Sequence, residues 1–459
     1  MGSHRDLTQG AVWRRLLQLT LPMIFGIIAV LSISLADTYF VGQLGTNPLA
    51  ALSFTFPVTM TIASLSIGLG AGAASVVSRA IGGGDRRLVK RLSTDSLLLA
   101  VSVVATVSLL GYLTIRPLFT LLGANGEVLN LIERYMRIWY ISMPFLVIPM
   151  VANALIRSAG DAFWPSLIMI AAAIINIGVT PMLIFGWWIF PQLDIEGAAW
   201  GTFIARAATL IIALLIVALR ERMLSWEIPS ADELIHSWKR VLGIGLPAAG
   251  GNMVNPIGIA VVTAILATYG DATVAAFGVA TRIESFAAIP MLALSSSIGP
   301  LAGQNWGAER TQRVIAALRL SYWSCAVWAL LMALALWLMA EPIVQLFSND
   351  PDVIAQARHY LLIVPVSLWG YGVVIVGAAA FNSLGKPMVG LGYYLMRTAL
   401  LYIPLSWLAS LYAQQSAVYY AIAFSNGVAG FVVMLYSVQW LRNCLSEPDS
   451  ANSGRNLST

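Results

Sequence analysis

The stretch LLQLTLPMIFGIIAVLSISLADTYFV, Leu16 to Val41, is 26 residues long, and its only charged side chain is Asp37. About 20 apolar residues cross a hydrocarbon core of about 30 Å as a helix, so this run is long enough to span a membrane. A barrel strand would be half as long and would alternate apolar with polar positions, which this run does not. It is also too long for the apolar core of a secretory signal and lacks a small-residue cleavage site, so the first span is expected to be retained. The rest of the chain has the same character: 59% of its 459 residues are hydrophobic and 10% charged, with a mean hydropathy of +0.80. Soluble domains carry roughly 25% charged residues. The sequence therefore reads as an all-α integral membrane protein.

Continuing outward from that run, twelve spans are expected, at about 16–42, 50–76, 94–115, 132–156, 165–188, 195–219, 241–268, 274–299, 316–339, 358–382, 389–411 and 416–440. The basic residues then sort by side. Arg14, Arg15, Arg79, Arg86, Arg87, Lys90, Arg91, Arg157, Arg220 and Arg222 fall on one side with Lys239, Arg240, Arg310, Arg313, Lys386 and Arg442, and only Arg116, Arg134, Arg137 and Arg358 fall on the other. The positive-inside rule makes the crowded side cytoplasmic, with both termini there. The formal net charge of +5 follows from topology and implies no nucleic-acid partner.

The chain also repeats itself. LPMIFG at Leu21 matches LPAAGG at Leu246, LLGANGEV at Leu121 matches LFSNDPDV at Leu346, and Gly160 matches Gly385, each at an offset of 225; GGDRR at Gly83 matches GAERT at Gly307 at an offset of 224. An offset of six helices, an even number, gives parallel repeats related by an axis along the membrane normal, as in several transporter folds. The expected organisation is two pseudo-symmetric six-helix lobes, 16–219 and 241–440, around a central cavity, joined by a cytoplasmic connector at 220–240. Residues 441–459 read as a disordered tail, and Met1 to His4 as an expression-vector remnant. No phosphate-binding G-x-x-x-x-G-K-[ST] loop occurs, so any transport must draw on an ion or substrate gradient. Cys325 and Cys444 suggest no disulfide framework. His4, His236 and His359 are scattered, and the acids Asp232 and Glu233 lie in the polar connector, so neither a metal site nor an embedded enzyme is indicated. No symmetric ring of charges suggests a channel.

A charge at mid-membrane costs roughly 2.5–3.5 kcal/mol on insertion scales, so those present should face a cavity or a partner. Four stand out: Asp37, Arg206, Glu284 and Arg397. Glu284 and Arg397 are expected to form a structural ion pair. The repeat-mate of Asp37 is Val262, which places ion coupling in the N-terminal lobe alone. Span five offers Asn176 and Thr180 at i,i+4, span six runs back inward and offers Thr202 and Arg206 at the same spacing, and span four begins outside with Tyr135 and ends with Asn153 deeper in. Ordinary hydrogen bonding between packed spans is the alternative for Asn176, Thr180 and Thr202, and a helix cap is the alternative for Asn153.

Taken together, LADTYFVGQLG in span one, RSAGDAFWP after span four, NIGVTP in span five, EGAAWGT opening span six and TRIESF in span eight resemble the multidrug and toxic compound extrusion (MATE) transporters, in particular their prokaryotic DinF-like branch. The likeness runs from Leu16 to Trp440. It implies a secondary antiporter of the bacterial inner membrane that exports amphipathic organic compounds, whether drugs, toxins or metabolites, in exchange for inward protons or Na⁺, a monomer whose other partner is membrane lipid and which needs no cofactor. It further implies that Asp37 is the protonated or ion-bound residue, that Pro22 kinks span one, and that Asn176, Thr202, Tyr135 and Asn153 belong to the network around Asp37 and the adjoining substrate cavity. Two departures matter: the family's usual Asn-x-x-x-Asp-Pro reads Asn176 to Thr180 and Pro181 here, and Arg206 stands one turn beyond Thr202. A cation about 4 Å from a carboxylate favours the ionised form by roughly 4 kcal/mol at an effective dielectric of 20, whereas burial favours the neutral form. One acid fewer and one cation more suit Na⁺ poorly and favour the proton. Arg206 has two readings, as a partner of Asp37 or as a contact for an anionic substrate group. A lipid or lipid-linked oligosaccharide flippase of the same broader superfamily is the alternative function.

Overall fold

The computed structural model describes residues 6–227, 230–412 and 414–446. Ten of its helices are long and apolar enough to cross a membrane, and two bent pairs complete a set of twelve spans. In chain order these are Val12–Gly42, Thr46–Gly82, Arg86–Leu113, the pair Gly126–Ser142 and Pro144–Ser158, Phe163–Phe185, Asp194–Arg220, Ala231–Ala267, the pair Asp271–Ala287 and Ile289–Gly307, Thr311–Gln345, Pro351–Ser383, Pro387–Tyr412 and Gln415–Ser446. All twelve expected spans are present. The two bends, 41° in span four and 45° in span eight, fall where Pro144 and Pro290 open the second helix of each pair. A proline lacks the N–H that a continuous helix needs and crowds the preceding turn, so the direction changes there. The last helix continues to Ser446, beyond the expected start of the tail at 441; residues 447–459, like Met1 to His4, lie outside the described residues.

Two compact units make up the fold. One contains Leu21–Leu246, and the other contains Leu7–Thr20 together with the chain from Pro247 onward. The divisions fall at the two repeated motifs, Leu21–Pro22 and Leu246–Pro247. In the second unit the opening segment is held by polar side chains. Gln304 accepts from the Leu7 N–H at 3.1 Å, Asn305 donates to the Leu7 carbonyl at 3.2 Å, and Arg313 donates to the Gly10 carbonyl at 2.9 Å. In the first unit the start of span seven is fixed on span three in a corresponding way: Trp238 Nε1 donates to the Asp95 carbonyl at 3.0 Å, and Arg91 bridges Asp95 and Glu233 at 3.0 and 3.3 Å.

Inside each unit, helices meet through large apolar side chains and close through small ones. Phe119, Ile132, Met136 and Leu155 are fully buried in the first, and Phe277, Tyr360 and Tyr419 in the second. Lipid tails are as apolar as leucine, so close backbone approach supplies much of the packing energy between spans. A Cβ at Gly72 of span two would overlap the carbonyl oxygen of Val241, and one at Gly370 of span ten would overlap that of Asn426. Replacing either by leucine should therefore destabilise the fold by about 1–3 kcal/mol or more, because packed helices must separate to admit the side chain. The expected readout is a lower apparent melting temperature and a loss of the monodisperse peak in detergent. Unchanged stability for Gly72→Leu would mean that spans two and seven do not cross there.

Candidate transport site

Within the first unit, spans one, two, four, five and six wall a cavity of about 380 Å³. Among the described residues that line it, the only charged side chains are Asp37 and Arg206. Most of the wall is apolar or aromatic, including Phe56, Tyr135, Trp139 and Phe145, and its amides are Asn153 and Asn176. The sequence thus brought Asp37, Tyr135, Asn153, Asn176, Thr202 and Arg206 to one surface.

The two charges form no salt bridge with each other. Arg206 donates to the Ser142 hydroxyl at 3.1 Å, and its guanidinium carbon lies 5.6 Å from the centre of the Trp139 ring. Ser142 in turn donates to the Trp139 carbonyl at 2.7 Å, so the end of the first helix of span four holds the cation. Neither Trp139 nor Ser142 was anticipated. Trp139 follows Tyr135 by one helical turn, which is a legible signal; Ser142 becomes visible only when span six is seen to pack across the bend of span four. Oδ1 of Asp37 has no protein hydrogen-bond partner, and neither do Oδ1 of Asn153 and Oδ1 of Asn176. Asn176 and Thr202 both stand beside the Asp37 carboxyl, and Asn176 donates to Thr202 at 3.3 Å while Thr202 donates to the Ala198 carbonyl at 3.0 Å. Three side-chain acceptors on one wall therefore lack a protein donor.

Some expectations need correction. Thr180 does not line the cavity; it is fully buried and packs where Gly201 of span six has no side chain. Helical spacing puts Asn176 and Thr180 on neighbouring faces, but the glycine draws span six onto Thr180 and shuts it off. Asn153 lies within Pro144–Ser158 and faces the cavity, so it is no cap. Pro22 lies inside the helix of span one, where it takes one N–H out of the helical ladder, and the Ser166 hydroxyl donates to its carbonyl.

In the second unit, Glu284 and Arg397 form no direct ion pair. Arg397 donates to Asn426 and Asn255, each at 2.8 Å, and stands over the rings of Tyr371 and Tyr402 at 4.6 and 5.4 Å. Glu284 accepts from the Tyr360 hydroxyl at 2.5 Å. Arg397 sits in a π-helical stretch, Met396–Tyr402, which alters the facing of span eleven relative to a regular helix. Neutral amides and aromatic faces satisfy the cation locally, so it does not need the carboxylate. A double-mutant cycle with Glu284→Gln and Arg397→Gln, followed by chemical unfolding in mixed micelles, should give a coupling energy of about 1 kcal/mol or less, below the roughly 3–5 kcal/mol that breaking a buried ion pair costs. A coupling well above about 1 kcal/mol would restore the ion pair.

Twelve spans in two units, with a charged aromatic cavity in one of them, are an architecture that membrane transporters use. The MatE family matches residues 22–182 and 247–408, and the chain belongs to that family. The FAD transporter of Shewanella oneidensis MR-1 is 39% identical over 457 residues, covering the whole of both chains. The multidrug export protein MepA of Staphylococcus haemolyticus is 26% identical over 444 residues, 95% of this chain and 96% of its own. The crystal structure of the Vibrio cholerae MATE transporter VcmN in the bent form superposes with a TM-score of 0.88 at 29% identity, covering 96% of this chain and 99% of that one.

Proposed function

We propose that the protein is a proton-driven exporter of aromatic organic compounds in the DinF-like branch of its family, with Asp37 as the proton carrier. The observation that carries this reading is an acid and a cation facing one apolar cavity without pairing. A proton on Asp37 supplies one donor at the side chain beside Asn176, whose carbonyl oxygen lacks one, and it needs no set of several oxygen ligands, as Na⁺ would. The aromatic wall suits flat apolar groups, and a cavity of about 380 Å³ falls in the usual range of roughly 300–1,000 Å³ for small-molecule sites. The lone guanidinium argues against the flippase alternative, which calls for a strongly basic cavity. Orientation in the bacterial inner membrane with both termini in the cytoplasm is supported by charge: Arg116, Arg134, Arg137 and Arg358, the basic residues of the opposite side, are all ion-paired with carboxylates. The protein works as a monomer on this reading.

Arg206 and the 39% identical FAD transporter favour a second reading of the substrate, a flavin nucleotide with its phosphates at Arg206 and its ring on the aromatic wall. The two substrate readings differ in sign. Protonating Asp37 takes the charge of the cavity pair from zero to +1, which expels a cation but holds an anion more firmly. A cationic substrate therefore exchanges with the proton by competition at the site, whereas FAD would need a change of cavity shape to leave.

The purified protein should consequently bind a cationic dye such as ethidium more tightly as pH rises, and FAD less tightly. Asp37→Asn should flatten both trends. Arg206→Ala should weaken FAD by about tenfold or more, the worth of a charge-assisted contact, while dye binding persists. Equal loss of both would remove the substrate role of Arg206. Substrate-driven proton release at the normal rate in Asp37→Asn vesicles would remove Asp37 as the carrier.

A further inference from the structure

A second cavity in the first unit, of about 800 Å³, opens at the basic ends of spans three and six. Its charged lining consists of Arg86, Arg87 and Lys90 from the first turns of span three, and Arg222, Glu221 and Glu227 from the connector that follows span six. Four cations thus face two carboxylates. Glu221 lies 3.4 Å from Arg220, outside the lining, and Glu227 reaches only Arg87, at 3.6 Å with both side chains largely exposed. Among the described residues, Arg86, Lys90 and Arg222 join no salt bridge. Arg86 and Lys90 stand one turn apart on the same face, a like-charge spacing that costs a helix a few tenths of a kcal/mol unless an anion lies between them.

The connector wall is fixed. The Met223 N–H donates to the Val217 carbonyl at 3.1 Å, the Ser225 N–H donates to Thr94 Oγ1 on span three at 2.8 Å, and Met223 is fully buried. Between these anchors Arg222 adopts a left-handed backbone, φ 51°, uncommon for a residue with a side chain. The fixed turn keeps Arg222 beside the Arg86 and Lys90 face. Trp226, in the lining with the cations, is 90% exposed, and Leu219, three residues before Arg222 on the last turn of span six, is 70% exposed. A tryptophan and a leucine beside unpaired cations at the ends of two spans match the layer where acyl chains meet charged head groups.

The geometry points to a site for the phosphate of an anionic phospholipid, its head group on Arg86, Lys90 and Arg222 and its glycerol and upper acyl chain along Leu219 and Trp226. None of these residues belongs to the Asp37 cavity, so the site stands whether or not the transport reading holds. The test is native mass spectrometry of the full-length protein released from vesicles of phosphatidylcholine with phosphatidylglycerol. Wild type should retain phosphatidylglycerol in preference to phosphatidylcholine, and the triple variant Arg86→Gln, Lys90→Gln, Arg222→Gln should lose that preference. The expected loss is about fivefold per cation and on the order of a hundredfold in all. The charge-preserving variant Arg86→Lys, Arg222→Lys should keep most of the preference, which separates loss of the site from loss of fold, and both variants are checked for a wild-type melting profile. No preference in wild type, or a preference undiminished in a folded triple variant, overturns the site. Inorganic phosphate at tens of millimolar should leave lipid retention unchanged; if it displaces the lipid, the pocket serves a soluble phosphate compound and the lipid assignment fails.

Discussion

A guanidinium inside a membrane has to be wrapped by its own protein, because hydrocarbon offers it nothing. Both arginines described above within the spans, Arg206 on the cavity wall and the buried Arg397, are held by neutral groups: Arg206 by a serine and an indole, Arg397 by two asparagines and two phenol rings. The choice has a consequence. An ion pair would have neutralised each cation and consumed an acid in doing so, whereas amides and ring faces hold a cation while leaving its charge and the nearby acids unspent. Glu284 is correspondingly satisfied by a tyrosine, and Asp37 keeps one oxygen without a protein partner. Three unpartnered acceptors, on Asp37, Asn153 and Asn176, line the cavity that Arg206 also faces, and that juxtaposition gives the cavity its distinct chemistry.

Much of this was legible in the sequence because it follows from length and spacing. A run such as Leu16 to Val41 satisfies its backbone in lipid as a helix, and the repeat at Leu21 and Leu246 led to the expectation of two six-helix halves, whereas the compact units divide at Leu21 and Pro247. The depth argument that gathered Tyr135, Asn153, Asn176, Thr202 and Arg206 around Asp37 worked because helical rise converts position along a span into height. Partner choice was less legible. Spacing told that Glu284 and Arg397 were buried charges of opposite sign, but which groups meet depends on the rotation of each helix, and the π-helical stretch at Met396–Tyr402 changes that rotation. Thr180 failed for a similar reason, since Gly201, a residue without a side chain, governs how near span six can come.

The second cavity owes its shape to a different kind of residue. The connector was read from composition as a polar joint, yet its first residues are tied to spans three and six by backbone hydrogen bonds, and a left-handed Arg222 fits between those ties. No hydropathy pattern reports such a turn. The positive charge on that side, which the sequence explained by topology alone, is gathered by the turn into one concave surface.

The placement of the opening turns bears on how the two halves of the gene relate to the two halves of the molecule. Leu7–Thr20 is built into the unit that starts at Pro247, and the first turns of span seven are built into the unit that ends at Leu246. Cutting the chain in the connector between spans six and seven therefore does not release two complete units; it yields two fragments, each carrying a piece of the other. The duplicated halves are covalently consecutive but structurally interleaved, and neither is a self-contained module that could be exchanged by moving one half of the coding sequence.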